Sequence, residues 1–321
     1  MEDLINILKV LLFGIIEGIT EWLPVSSTGH MIILEEWLNI EETFGKEFWS
    51  LFLVVIQLGA IMAVLFTFIK KIWPFGKSKT KEEKRKIWML LVNIIIACLP
   101  AAVAGLFLDD LLDQYLMNFI TVSITLIIYG VLFIVLETYF KKKNQEFKTS
   151  DIYAMSIKTA FIIGCAQILA LIPGTSRSGI TILAAMLIGC DRKVAAEFSF
   201  LVAIPIMFGA SGLKTVKFMM SGSELTTDQF VYLLFGCIVA FLVSILTIKY
   251  FLKFINRNTF ISFGYYRIAL GVLLITYFLV TTLVNNANYD VLNYLMSISD
   301  NNFQNISSLV GNLSHFLFLS R

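Results

Sequence analysis

Charged residues are scarce in this chain. Only 15% of its 321 residues carry charge and only two are histidines, whereas 58% are hydrophobic. A water-soluble domain carries about a quarter charged residues, so a soluble globular protein is excluded and an integral membrane protein expected. The mean hydropathy of +0.81 agrees. The net charge of +2 is concentrated in a few loops and says little about partners; no nucleic-acid partner is expected. Four cysteines (Cys98, Cys165, Cys190, Cys237) fall in apolar stretches without metal-type spacing, which predicts buried, reduced thiols. No cleavable signal peptide is expected either. Asn6–Ile19 is apolar but lacks a basic leader, and it runs into Glu17 and Glu21 instead of a small-residue cleavage site.

What the chain does contain is long apolar runs. Six, at 49–69, 87–108, 119–140, 198–218, 229–250 and 260–284, reach the ~20 residues that a bilayer crossing needs. Two more, 6–34 and 156–190, are interrupted by Pro24-Val-Ser-Ser-Thr-Gly and Pro173-Gly-Thr-Ser-Arg-Ser-Gly. Proline followed by small hydroxyl residues and glycine breaks a helix. Each interrupted run therefore reads as a re-entrant helix–loop–helix hairpin, which is tolerated at membrane depth only inside protein or a water-filled cavity. Basic residues set the orientation. Lys70–Lys86 and Lys141–Lys148 are rich in Lys and Arg and are expected in the cytoplasm, as is the turn marked by Lys249, Lys253 and Arg257. The acidic links 109–118 and 221–228 are expected outside. The first hairpin then enters from outside and the second from the cytoplasm.

The chain also repeats itself. GIIEGITEWLPVSSTGH (14–30) returns as GCAQILALIPGTSRSGIT (164–181), with Arg177 read opposite Thr28. Phe48…Gly59-Ala60 matches Phe198…Gly209-Ala210, and Asn118-Phe-Ile…Gly130-Val-Leu matches Thr259-Phe-Ile…Gly271-Val-Leu. Each half is one hairpin plus three crossings, and an odd number of crossings turns the second copy upside down. The expected fold is thus an all-α membrane protein with an inverted-topology repeat and its site at the repeat interface. Residues 1–140 form the first repeat, 150–284 the second, and 285–321 an interfacial or disordered extension.

Ionisable groups at membrane depth are costly, so their default reading is functional. Glu17 and Glu21, four apart, share one helix face, where two like charges serve no packing purpose. They suit either a base paired with an acid or a divalent-cation site. Ser26, Ser27, Thr28 and His30 follow; some of these hydroxyls suit plain helix caps. A base, a hydroxyl and a carboxylate in one hairpin are the parts of nucleophilic catalysis. In the second loop Gly174 and Gly179 expose backbone N–H groups, and a helix starting near Ser178 points its positive end at the loop, an arrangement suited to anions. Arg177 adds a fork matched to phosphate oxygens. Residues 159–190 contain no acidic partner for it, so its counter-charge must come from the first half or from a ligand. Gln167 stands where the first copy has Glu17, and Leu171 where it has Glu21. Gln57 is a weaker candidate for the same cavity.

These residues closely resemble the undecaprenyl-diphosphate phosphatase (bacitracin-resistance) family. The first family motif, EGxTEfLPVSSTGH, stands as Glu17 through His30, and the second, PGxSRSGxT, as Pro173 through Thr181. Val55-Ile56-Gln57-Leu58-Gly59-Ala60 is also similar, and the resemblance spans residues 3–284. It implies a hydrolase that converts undecaprenyl diphosphate to the monophosphate, recycling the carrier for wall polymers and conferring bacitracin resistance. It further implies a multi-pass protein of the bacterial cell membrane, an active site open to the outer face, a divalent cation (Mg2+ or Ca2+) and a homodimer. Carried over by position, Glu17 and Glu21 assist acid–base work or bind the cation, and Ser27 or His30 is the nucleophile or its base. Arg177, with Ser176, Ser178 and Thr181, holds the diphosphate; Ser26, Thr28, Gly174, Thr175 and Gln57 are further substrate-binding candidates.

Two other classes were open. A transporter or flippase of an anionic polyprenyl lipid suits the inverted layout but has no need of Glu21, Ser27 and His30 together. An ion channel explains neither the asymmetry of the loops nor the single arginine. His315, in the Asn- and Ser-rich tail, is read as incidental. The phenylalanines, 28 in all, are read mainly as lipid-facing bulk, with some lining a groove for the prenyl chain.

Overall fold

The computed structural model describes residues 2–284 apart from 39, 77 and 144–146, and nearly all of them are helical. Among the described residues no strand forms; an isolated bridge joins Thr149 and Cys190. Six helices are long and apolar enough to cross a membrane. They are α4 (Lys46–Ile72), α5 (Lys81–Leu116), α6 (Phe119–Lys143), α9 (Arg192–Met220), α10 (Thr227–Ile255) and α11 (Ile261–Val284). The shorter helices are α1 (Glu2–Thr20), α2 (Ser27–Leu38), α3 (Ile40–Phe44), α7 (Ile157–Gln167) and α8 (Arg177–Leu187). The six expected crossings all appear. The expected link at 109–118 does not, because α5 runs on to Leu116 and leaves only Met117 and Asn118 for the turn into α6.

Local chemistry sets the helix starts. Thr80 and Glu83 form a reciprocal capping box before α5: Thr80 N–H donates to Glu83 Oε2 (2.7 Å), and Glu83 N–H to Thr80 Oγ1 (3.2 Å). Thr226 and Gln229 do the same for α10. Asp191 caps α9 by accepting from Val194 N–H at 2.7 Å. Lysines close α4 and α6, where their charge meets the negative helix end.

Both interrupted runs are broken where the prolines fall. The chain leaves α1 at Thr20 and resumes helix at Ser27; it leaves α7 at Gln167, makes a 3-10 turn over Ile168–Leu171, and resumes at Arg177. The residue before each new helix is a serine in the left-handed region, Ser26 at φ +72° and Ser176 at φ +70°. A side chain with a Cβ is strained there. Each serine also caps the helix it precedes, Ser26 Oγ accepting from Gly29 N–H (3.4 Å) and Ser176 Oγ from Gly179 N–H (3.2 Å). The two serines are 150 residues apart, the spacing that also separates Gln167 from Glu17, and at that spacing Arg177 stands opposite Ser27, not Thr28.

The described residues up to Leu274 pack as one compact unit, and those from Ile275 to Val284 belong to a second. Within the first, helices meet at glycines. Gly14 and Gly18 of α1 lie against Gly236, Val239, Ala240 and Val243 of α10, and Gly164 of α7 lies against Ala97 of α5. A Cβ on Gly59 of α4 would sit 2.1 Å from the Cys237 carbonyl oxygen. On α6 and α11, Gly130 meets the Gly264 carbonyl and Gly271 meets the Ser123 carbonyl.

Two expectations about side chains are corrected. Many phenylalanines are core, not lipid-facing: Phe133, Phe198, Phe200, Phe251 and Phe260 are fully or almost fully buried, and Phe260 touches Phe133, Phe251 and Phe263 ring to ring. Others, such as Phe66 and Phe107, do face outward. All four thiols are free, but only Cys98 and Cys190 are buried; Cys237 is half-buried and Cys165 exposed. The tail 285–321, with His315, lies outside the described residues.

Candidate active site

The two broken segments bring their polar residues together, and Glu21 is the junction. One carboxylate oxygen accepts from Ser27 Oγ at 2.7 Å, and the other accepts from Arg177 Nη2 at 2.8 Å. The counter-charge that Arg177 lacks in its own half is therefore Glu21 of the first. A second guanidinium nitrogen donates to the Ser199 carbonyl (2.9 Å), and the group lies 5.7 Å from the Trp22 ring centre. Both ions are largely buried, with side-chain exposures of 13% for Arg177 and 9% for Glu21, so each depends on the other for compensation.

Glu17 sits one helical turn before Glu21, whose N–H still donates to the Glu17 carbonyl at 3.1 Å. It is buried, and its Oε1 has no hydrogen-bond partner among the described residues. Gln167, at the matching position of the second copy, is likewise buried, with neither polar atom of its amide bonded. Buried polar atoms of this kind call for a water, an ion or a ligand.

His30 departs from the expected grouping. The imidazole bonds neither Ser27 nor Glu21. Its Nδ1 meets the Ser26 carbonyl at 2.7 Å and its Nε2 the Tyr266 hydroxyl at 2.6 Å. Of the expected trio, Glu21 and Ser27 are directly linked and His30 belongs to a neighbouring pair.

Of the second loop's hydroxyls, Ser178 ties the two loops together, while Thr181 braces its own half. Ser178 Oγ reaches the Glu21 and Leu23 carbonyls (3.3 and 3.2 Å). Thr181 Oγ1 donates to the Arg177 carbonyl at 2.8 Å and meets Ser199 Oγ at 2.7 Å. Thr175, Ser178 and Thr181 are buried, as are Ser26 and Gly174. Gly174 has φ +84°, and a Cβ there would sit 2.2 Å from Thr125 Oγ1, which donates to the Pro173 carbonyl. Only glycine fits that turn. Ser27, Thr28, His30, Ser176 and Arg177 remain partly accessible and form the open side of the cluster. Gln57 is half-buried on α4, and no hydrogen bond ties it to either loop.

Two adjacent residues on α11 escaped the sequence analysis. Tyr266 holds His30. Arg267 is fully buried and donates to the carbonyls of Pro24 (3.2 Å), Gly174 (2.8 Å) and Thr175 (3.0 Å), pinning both loops at once. An arginine inside a crossing apolar enough to span a bilayer is itself a functional signal, and that rule would have found it. The same rule applies to two buried carboxylates away from the loops. Glu137 takes Arg192 and the Phe260 N–H, and Glu197 takes Lys71 at 2.6 Å; both tie helices together.

The donor set suits a hard cation in part. Glu17 offers an unbonded carboxylate oxygen, whereas both oxygens of Glu21 are already engaged. No group of three or more His, Cys, Asp or Glu gathers among the described residues. Mg2+ is commonly held by one or two carboxylates, with substrate phosphates and water completing its shell, and these residues fit that pattern. A separate cleft of about 340 Å³, lined by Glu35, Glu36, Glu41 and Glu42 beside Met117–Phe119, is acidic and unsuited to an anion.

Comparison with known proteins identifies the family of the chain. The family described as "Bacitracin resistance protein BacA" matches residues 10–273. The "Undecaprenyl-diphosphatase" of Enterococcus faecalis is 50% identical over 274 residues, covering 85% of this chain and 98% of that protein. The protein of the same name from Acetivibrio thermocellus is 50% identical over 276 residues (86% and 99%), and that of Lactiplantibacillus plantarum 49% over 275 (86% and 98%). Both long polar motifs fall inside the matched region, and the chain belongs to the bacitracin resistance protein BacA family.

Proposed function

We infer that this chain is an undecaprenyl-diphosphatase, a membrane hydrolase that converts undecaprenyl diphosphate to undecaprenyl phosphate and inorganic phosphate. The observation that carries the chemistry is the Glu21 carboxylate, bonded on one side to Ser27 Oγ and on the other to Arg177. Ser27 is the nucleophile and Glu21 its base. Ser27 gives its proton to Glu21 as Oγ bonds the terminal phosphorus, and the bond to the bridging oxygen breaks, releasing undecaprenyl phosphate. Water then hydrolyses the phosphoserine. Arg177, the positive end of α8 and the accessible Ser176 and Thr28 hydroxyls neutralise and orient the phosphoryl oxygens, which is most of what phosphoryl transfer demands. Buried Ser178, Thr181, Thr175, Gly174 and Ser26 keep those groups in place, and Gln57 stays a peripheral candidate. His30 assists at the accessible edge. A divalent cation, Mg2+ or Ca2+, would be held by Glu17, with Glu21 beside it, and would supply charge neutralisation for the diphosphate.

The same reading includes the inverted repeat, with halves 1–140 and 150–284 and two re-entrant hairpins. Three pairs of features support it: the left-handed capping serines, the packing of α1 on α10 beside α7 on α5, and the glycine contacts of α6 and α11. Residues 130 and 123 correspond to 271 and 264, so the contact of Gly130 with Gly264 and that of Gly271 with Ser123 are one contact seen twice. In a bacterial cell membrane the basic Lys70–Lys86 segment would face the cytoplasm, and the site would open to the outer side. A homodimer completes the reading, on the family resemblance alone. A lipid transporter needs the arginine and the helix ends but not a carboxylate-bonded serine.

The test is chemical trapping. Protein quenched during turnover of substrate labelled in the terminal phosphate should carry phosphate on Ser27, with no adduct in Ser27→Ala; an adduct on His30 instead would exchange the two roles.

A further inference from the structure

The side chains of His30 and Tyr266 come from positions 236 residues apart, and their rings lie parallel, 5° between planes and 5.7 Å between centres. The partners define the proton positions. A backbone carbonyl only accepts, so Nδ1, facing the Ser26 carbonyl at 2.7 Å, carries the proton. In the neutral ring Nε2 is then a bare lone pair, and the Tyr266 hydroxyl at 2.6 Å donates to it. The backbone that carries each neighbour is fixed. Ser26 is fixed by its left-handed backbone and its cap on α2, and Arg267, next to Tyr266, is bonded to three carbonyls of the two loops. Tyr266 is also 46% exposed and Ser27 and Ser176 are partly accessible, whereas Glu17 is buried.

We propose that Tyr266 is a positioning residue of the phosphatase site, holding His30 as the Nδ1–H tautomer with an unprotonated Nε2 turned toward the accessible edge. This deepens the reading above and rests on it. In the hydrolytic half-reaction water replaces the phenol at Nε2. His30 takes one water proton as the new oxygen–phosphorus bond forms, the Ser27 Oγ–phosphorus bond breaks, and Oγ recovers its proton from the Glu21 carboxyl. The proton on His30 leaves to solvent with the phosphate. Neither family motif contains Tyr266, and no spacing rule links it to His30.

The chain has only two histidines, His30 and His315, so His315→Ala leaves one imidazole to observe. Full-length His315→Ala protein labelled with 15N-histidine should show the Nδ1–H tautomer, and adding Tyr266→Phe should move the Nε2 resonance. The Nε2–H tautomer, or no response to Tyr266→Phe, overturns the proposal. Tyr266→Phe keeps the stacked ring, so its folding can be checked by a melting curve. With undecaprenyl diphosphate it should lower kcat about tenfold with KM little changed. In a His30→Ala background the same change should cost nothing more, and an equal loss there overturns the proposal. Wild-type kcat in His30→Ala would sink the catalytic role of His30, while the spectrum alone still decides whether Tyr266 sets the ring.

Discussion

A carboxylate that bonds a serine hydroxyl on one side and a guanidinium on the other can be tested from three directions. Arg177→Lys keeps the charge but loses the planar fork that reaches both Glu21 and the Ser199 carbonyl. Its kcat/KM should fall by about 100-fold, some 2.7 kcal/mol of transition-state stabilisation. Wild-type kinetics in that variant would reduce Arg177 to a point charge. Arg267 differs in kind, because it donates to backbone carbonyls of the two loops and of Leu126 and lies over the Tyr129 ring, so its work is structural. Arg267→Met strands those carbonyls, and at about 1.5–3 kcal/mol for a hydrogen bond to a charged group it should lower the melting temperature in detergent by several degrees. Unchanged melting would contradict the pinning role. Glu17, Glu21, His30 and Arg177 stand out in the sequence as ionisable groups in apolar surroundings, and Ser27 as part of the hydroxyl cluster between them; that Glu21 bonds Ser27 and Arg177 while His30 does not is visible only in the fold. Tyr266 does not stand out, since a tyrosine in an apolar run reads as bulk until its partner is seen.

Apart from α5, which runs on to Leu116 through the expected link, the crossings were legible to within several residues, because length, hydropathy and basic flanks act locally. Their contacts were not. Nothing in the sequence says that Gly59 must meet the Cys237 carbonyl while Gly209, its counterpart in the second copy, meets nothing within 4 Å. That difference gives a paired prediction. Gly59→Ala would bring a Cβ to 2.1 Å from a backbone oxygen and should destabilise by at least the ~1–3 kcal/mol of ordinary overpacking. Gly209→Ala has open space and a better helix former, so its melting temperature should match or exceed the wild type. Equal behaviour of the two variants would mean that α4 and α10 do not cross as described. Between the two broken segments, only the Arg177–Thr28 pairing departs from the 150-residue spacing that separates Gln167 from Glu17, Leu171 from Glu21 and the capping Ser176 from Ser26.

At the scale of the whole molecule, the two halves differ where chemistry requires it. The first supplies carboxylates and a bonded serine; the second supplies an arginine and a helix end. The proposed orientation rests on the basic loops. On a cysteine-free background, Lys79→Cys should react with an impermeant reagent only after the cytoplasmic side is opened, and Ser223→Cys should react from outside. The reverse pattern would turn the molecule over. The site itself depends on Glu21 serving both halves, and phosphate release from undecaprenyl diphosphate by purified Glu21→Gln protein tests that most directly. The amide keeps the shape but can neither take the Ser27 proton nor balance Arg177, so kcat should fall by about 1,000-fold or more while the protein stays folded. Release at the wild-type rate would contradict the assignment of Glu21 as the shared base.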